Sequence, residues 1–135
     1  MTHRSTLLAA AALGATGVAL GAFGAHGLKA FLLERGMVSA WESAARYQLV
    51  HAVALLGAAA WLRSAGEPAA KWIGRAAACW TAGVILFSGS LYVLAVGGPN
   101  WLGPVTPLGG LAFMLGWILV GVAALAKEST SRPAS

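Results

Sequence analysis

Residues 5–28 read STLLAAAALGATGVALGAFGAHGL, a run without a single Asp, Glu, Lys or Arg. A helix needs roughly 20 apolar residues to cross about 30 Å of hydrocarbon, so this stretch is long enough to span a bilayer. The second half of the chain holds a longer charge-free reach, residues 76–126. Over all 135 residues 59% are hydrophobic and 10% charged, against about a quarter charged in soluble domains. The chain reads as a one-domain, all-α membrane protein.

Working outward, the start resembles a signal peptide, with His3 and Arg4 ahead of an apolar core. The apolar residues continue from about Leu7 to Ala25, beyond the roughly 7–15 of a signal core, so an uncleaved first span is expected. Four spans are predicted, at about 5–25, 45–62, 76–96 and 108–126, forming a four-transmembrane-helix bundle with short loops. GGPNWLGPVTP at 97–107 supplies the Gly and Pro residues that turn the chain before the last span. KESTSRPAS at 127–135 is polar and is expected to be a disordered cytoplasmic tail.

The pI of 10.2 does not mark a nucleic-acid binder, because the basic residues sit in short segments between apolar runs and form no stripe. Arg4, Arg63, Lys71, Arg75, Lys127 and Arg132 flank the spans on one side, and Lys29, Arg35 and Arg46 on the other. The positive-inside bias therefore puts both termini in the cytoplasm. Cys79 stands alone in an apolar run, which excludes a disulfide framework, a CxxC redox pair and a cysteine metal site.

The first loop, 27–46, is amphipathic. Leu28, Phe31 and Leu32 share a helical face and Gly36 offers a left-handed stop, which predicts a short interfacial helix over Leu28 to Arg35. Ser39-x-x-Glu42 has the form of a capping box, so the second helix is expected to start near Ala40, outside the hydrocarbon. Glu42 and Arg46, four apart, read as an exposed helix pair. Trp41 and Trp101 fall near the outer boundary and Trp61 and Trp72 near the inner one, as interface anchors do. Trp117 falls midway through the fourth span, where packing accounts for it.

Gly14, Gly17, Gly21 and Gly24 are spaced by three, four and three residues and form one stripe. Such a stripe lets a neighbouring backbone approach closely, which drives helix association in lipid. GAFGAHG at 21–27 is GxxGxxG with no strand pattern before it, so it is not a phosphate loop.

Polar residues gather at the outer end of the spans: His26, Tyr47, Gln48, His51, Tyr92 and Thr106 make a candidate cluster. Polar groups at membrane depth are functional candidates by default. Hydrogen-bonded neutral histidines that lock the first loop onto the bundle are the favoured account. Two histidines with Glu42 are a minimal ligand set without diagnostic spacing, so no metal is assigned. No Asp or Glu lies within a span, which weakens a carboxylate-driven antiporter. No cofactor and no catalytic motif is found, and an enzyme is not expected.

LGAFGAHGLK at 20–29, WESAARYQLVHAVALL at 41–56, FSGSLYVLAV at 87–96 and GPVTPLGGLAFMLGW at 103–117 together resemble a family of small membrane proteins, domain of unknown function 423, which includes the eukaryotic transmembrane protein 256. The resemblance runs from about residue 7 to 125; Val50 stands where a bulkier residue is expected. It implies a four-span helical protein of bacterial inner membranes with no established activity and supplies no catalytic residue. By motif position it points to Phe23, Gly24, His26, Gly27, Tyr47, Gln48, His51 and Tyr92, to Ser88, Gly89 and Ser90, and to Thr106, Pro107 and Gly110. The leading expectation is a non-enzymatic bundle whose outer polar cluster acts in assembly or recognition. Its expected partners are the lipid bilayer and either further copies of the chain or other membrane proteins. The alternative is a small oligomeric transporter or channel.

Overall fold

The computed structural model describes residues 1–126 and, among them, is helical with no strand. The tail expected at 127–135 lies outside the described residues. Helix α1 is His3–Ala25, α2 Lys29–Glu34, α3 Val38–Leu62, α4 Glu67–Gly83, α5 Gly89–Ala95 and α6 Val105–Leu125. A π turn, Val84–Ser88, joins α4 and α5 into one helix of 29 residues, and a 3-10 turn, Asn100–Leu102, precedes α6. His3–Ala25, Glu67–Ala95 and Asn100–Leu125 are long and apolar enough to cross a membrane. Helix α3 has 25 residues, about 38 Å at 1.5 Å per residue. Arg46, Gln48 and His51 dilute its apolar character.

Two boundaries differ from expectation. The third long helix starts at Glu67 and not near 76, because Gly66 is an extended N-cap, Pro68 sits in the first turn and Glu67 lies at the positive end of the helix dipole. Lys71 and Arg75 are exposed while Ile73, Gly74 and Ala77 are buried, so the stretch 67–75 is an amphipathic start of the helix and not loop. The Ser39–Glu42 capping box does not form: α3 starts at Val38 with Met37 as N-cap and no side-chain cap. Gly36, at φ +64°, ends α2 in a Schellman stop in which Gly36 N–H donates to Leu33 O and Met37 N–H to Leu32 O. The chain re-enters a helix at once, and Ser39 falls inside the first turn.

Gly97, at φ +96°, ends α5 the same way, with Gly97 N–H on Leu94 O and Gly98 N–H on Val93 O. This leaves the Ala95 carbonyl free at the negative helix end, and Arg35 Nε donates to it at 3.2 Å. The end of α2 is thereby fastened to the end of α5. At the opposite end of the bundle the Met1 ammonium donates to Gly74 O at 2.8 Å and His3 Nδ1 to Ala59 O at 2.8 Å. Thr2 and Ser5 form a reciprocal capping box between them.

The long helices pack as two pairs, α1 on α3 and α4 on α6, and α3 joins the pairs through α4, the π turn and α5. Both seams rest on glycine. Gly14, Gly17, Gly21 and Gly24 all face α3: a Cβ on Gly14 or Gly21 would make ordinary contact with Ala52 or Ala45, one on Gly17 would press Leu49, and one on Gly24 would overlap the Trp41 indole. On the other seam Gly83 admits Phe113, Gly109 admits the backbone of Phe87, and Gly116 admits Trp80.

The α1 seam therefore grades its glycines. Gly24→Ala should destabilise the purified protein by about 1–3 kcal/mol, the usual cost of overpacking. Gly21→Ala should be neutral or slightly stabilising, since alanine improves helix propensity by about 1 kcal/mol. Thermal unfolding of both variants in detergent checks the ordering, and equal melting temperatures would refute it.

Candidate functional site

The polar residues are positioned by the width of the buried stripe on α3. Trp41, Ala45, Gln48 and Ala52 look toward α1, while Ala44, His51, Leu55 and Ala58 look toward the α4–α6 pair. One helix thus carries two adjacent faces inward, and each face holds one polar side chain.

Gln48, 3% exposed, uses both ends of its amide. Its Nε2 donates to Leu13 O at 2.9 Å and to Thr16 Oγ1 at 2.8 Å, and its Oε1 accepts from Tyr92 OH at 3.1 Å. The Thr16 hydroxyl spends its own proton on Ala12 O at 2.7 Å, so its oxygen is left as an acceptor. One side chain therefore ties α1, α3 and α5. The Tyr92 ring packs edge-on against Trp41 at 4.7 Å.

His51, 2% exposed, faces the other pair. Its Nδ1 lies 2.8 Å from Tyr47 O, which can only accept, and its Nε2 lies 3.3 Å from Trp117 Nε1, which can only donate. These partners require the neutral Nδ1–H tautomer, because an imidazolium would set N–H against N–H at Trp117. The ring stacks on Phe113 at 3.7 Å and 9°. Both nitrogens are occupied, so His51 offers neither a metal bond nor a free proton acceptor.

The remaining polar groups form separate pairs. Ser88, at the end of the π turn, donates to Ala44 O at 2.8 Å, and Ser90 shares a hydrogen bond with Thr106 at 2.7 Å. The π turn adds one residue to the helix at this level, and Gly89 N–H reaches back to Val84 O. Among the described residues Trp80 Nε1 is the one buried side-chain polar atom without a partner.

The six expected cluster residues are therefore not one site. Gln48 and Tyr92 are joined; His51 and Tyr47 form a second group with Trp117 and Phe113; Thr106 belongs with Ser90. His26, the C-cap residue of α1, is exposed and stands outside all three groups. Its place at the helix end had suggested membership, but its side chain leaves the bundle. Trp41 is also corrected: it is 5% exposed, fills the space over Gly24 and donates to Leu20 O at 2.9 Å, so it is an internal plug. Trp117 is more than packing, since it holds His51.

Thr16 is absent from the expected residues, and the expectation for Trp117 includes no hydrogen-bonding role. Each carried a signal, as a lone hydroxyl beside a seam glycine and an indole N–H at mid-span, both of which need a partner where water is absent. Among the described residues no three His, Cys, Asp or Glu side chains gather to hold a metal.

A pocket of about 430 Å³ opens at the α2 end between α1, α2 and α3, with Lys29, Glu42 and Arg46 on its wall. Glu42 and Arg46 do not form the expected ion pair. Their side chains are exposed, and among the described residues neither is paired.

The names of similar proteins agree with helices long and apolar enough to cross a membrane. The model of the family described as "Protein of unknown function (DUF423)" matches residues 20–110. The UPF0382 membrane protein YwdK of Bacillus subtilis (strain 168) is 40% identical over 112 residues, 80% of this chain and 85% of the relative. The UPF0382 inner membrane protein YgdD of Escherichia coli (strain K12) is 38% identical over 135 residues, 97% of this chain and 98% of the relative. The UPF0382 membrane protein SAB0533 of Staphylococcus aureus (strain bovine RF122 / ET3-1) is 41% identical over 108 residues, 78% of this chain and 83% of the relative. No solved structure matches.

The Gln48–Tyr92 bond should be visible as an energetic coupling. A double-mutant cycle of Gln48→Leu and Tyr92→Phe, read by unfolding in detergent, should give about 0.5–2 kcal/mol, the range for hydrogen bonds between helices in membranes. Additive single effects would show that the bond contributes nothing.

Proposed function

The chain belongs to the DUF423 family, and on that footing we propose a non-enzymatic protein of the bacterial plasma membrane that crosses it four times with both termini in the cytoplasm. The domain takes in residues 1–126, and α3 is the fourth span beside the three apolar helices. Its length supports this, as does the direction of its polar groups. Gln48 and His51 are buried and face other helices, so the lipid-facing side of α3 keeps Val50, Val53 and Leu56. The exposed charges of α3, Glu42 and Arg46, precede Tyr47, and from Tyr47 to Leu62 the helix carries no Asp, Glu, Lys or Arg. The name of the Escherichia coli relative supports an inner-membrane location.

The observation that carries the non-enzymatic reading is saturation. Gln48 has three hydrogen-bonding partners and His51 two, all within the bundle, and Ser88, Ser90 and Thr106 are likewise engaged. A general acid, base or nucleophile needs an uncommitted atom facing a substrate. A transport path needs polar groups facing a continuous lumen, whereas these are hydrogen-bonded to neighbouring groups of the bundle. The cluster thus acts in assembly of the bundle, and recognition is left to the exposed cap around α2, in contact with lipid and with other membrane proteins.

Topology reporters test the arrangement. Fusions after Ala126 and in the loop between α3 and α4 should report cytoplasm, and a fusion in the loop before α6 should report the far side. Proteoliposomes of the purified protein should leak protons no faster than protein-free vesicles. An exported C-terminus would overturn the topology, and flux abolished by His51→Asn would overturn the assembly role.

A further inference from the structure

The three charged side chains at the pocket by α2 are arranged in a way that the packing of the bundle does not use. The pocket is floored by the small residues Gly21, Gly24 and Ala45, and Trp41 closes its inner side with its N–H already committed to Leu20 O. Lys29 enters from α2, and Glu42 and Arg46 from successive turns of α3. Two cations and one carboxylate thus border one recess, unpaired among the described residues. Glu42 and Arg46 are four apart on one helix, the spacing at which such groups ordinarily meet, yet they stay separate.

From this arrangement we propose that the pocket binds a diacyl phospholipid whose headgroup joins a phosphate to a primary ammonium, that is, phosphoethanolamine. The inference rests on the proposed membrane topology for the leaflet concerned, but not for the chemistry. The phosphate sits between the Lys29 ammonium and the Arg46 guanidinium, whose planar fork suits phosphate oxygens. The headgroup ammonium donates to the Glu42 carboxylate. The acyl chains run down the exposed apolar face of α1 that continues from the pocket, where Val18 and Leu7 are 63% and 43% exposed. A choline headgroup has no N–H to give Glu42, and a glycerol headgroup has no cation to balance it. Glu42 therefore selects among phospholipids, while Lys29 and Arg46 hold the phosphate they share.

The full chain, purified in detergent, is titrated with phosphatidylethanolamine, phosphatidylcholine or phosphatidylglycerol of identical acyl chains, and its melting temperature is followed. Phosphatidylethanolamine should raise Tm by about 5 °C and clearly exceed the other two, as expected for a ligand bound by the folded state alone. Glu42→Gln should erase its advantage over phosphatidylcholine, and the Lys29→Gln, Arg46→Gln double variant should erase the response to all three. The charges are exposed, so both variants should keep the parent Tm without lipid; native mass spectrometry of bound lipid gives a second readout if either does not. Equal stabilisation by the three lipids, or a preference that survives both variants, would overturn the proposal. Reporter fusions placing the α2 end in the cytoplasm would change the leaflet and leave the site intact, so the two readings fail separately.

Discussion

The bundle depends on the demand that a buried amide be fully hydrogen-bonded where no water can reach it. Gln48 meets that demand only if α1, α3 and α5 take one relative register, because its two ends must find Leu13 O, Thr16 and Tyr92 together. A slip of one helical turn in any of the three would bury an unpaired amide or phenol, a cost of several kcal/mol in hydrocarbon. Apolar seams are permissive about such slips, whereas this one side chain is not.

Glycine makes the register reachable. The α1 seam brings backbone close enough for Gln48 to reach a main-chain carbonyl across it, and Trp41 then fills the wider outer end over Gly24. In the second pair the logic is reversed, with Phe113 and Trp80 inserted opposite Gly83 and Gly116. Helices α3 and α6 meet through side chains more than through backbone, and His51, Phe113 and Trp117 bridge them. The π turn belongs to the same solution. By inserting a residue it lets Ser88 face Ala44 O while Ser90 faces Thr106.

Much of this was legible in the sequence because hydrocarbon imposes length and apolarity on each span. The runs at 5–25 and 108–126 gave helices within three residues of their expected limits, and the spacing of the four α1 glycines identified one face. Charge-based boundaries misled at Glu67, since an amphipathic stretch carrying Lys71 and Arg75 is helix as readily as loop. The Ser39–Glu42 motif misled because the chain, after the Schellman stop at Gly36, re-enters a helix at Val38, one residue before Ser39. The polar residues grouped by depth fall into separate hydrogen-bonded sets. Depth follows from counting along each helix, but partnership depends on which face each residue takes, and α3 carries two buried faces. His26 shows the limit most plainly, as its position at the end of α1 determined its level and not its direction.

Interior and cap thus divide the chemistry of the chain. Inside, polarity is consumed at all but Trp80 Nε1 among the described residues, and His51 is held in one tautomer by a carbonyl on one side and an indole on the other. At the α2 end, polarity is left over. Arg35 is committed to Ala95 O and fixes α2 over the helix ends, but Lys29, Glu42 and Arg46 remain unspent around a recess. Were the cap only a lid, Arg35 and the Schellman turn at Gly36 would suffice to hold it. Charges that the fold does not need, set on a scaffold this constrained, are the part of the molecule most open to another one.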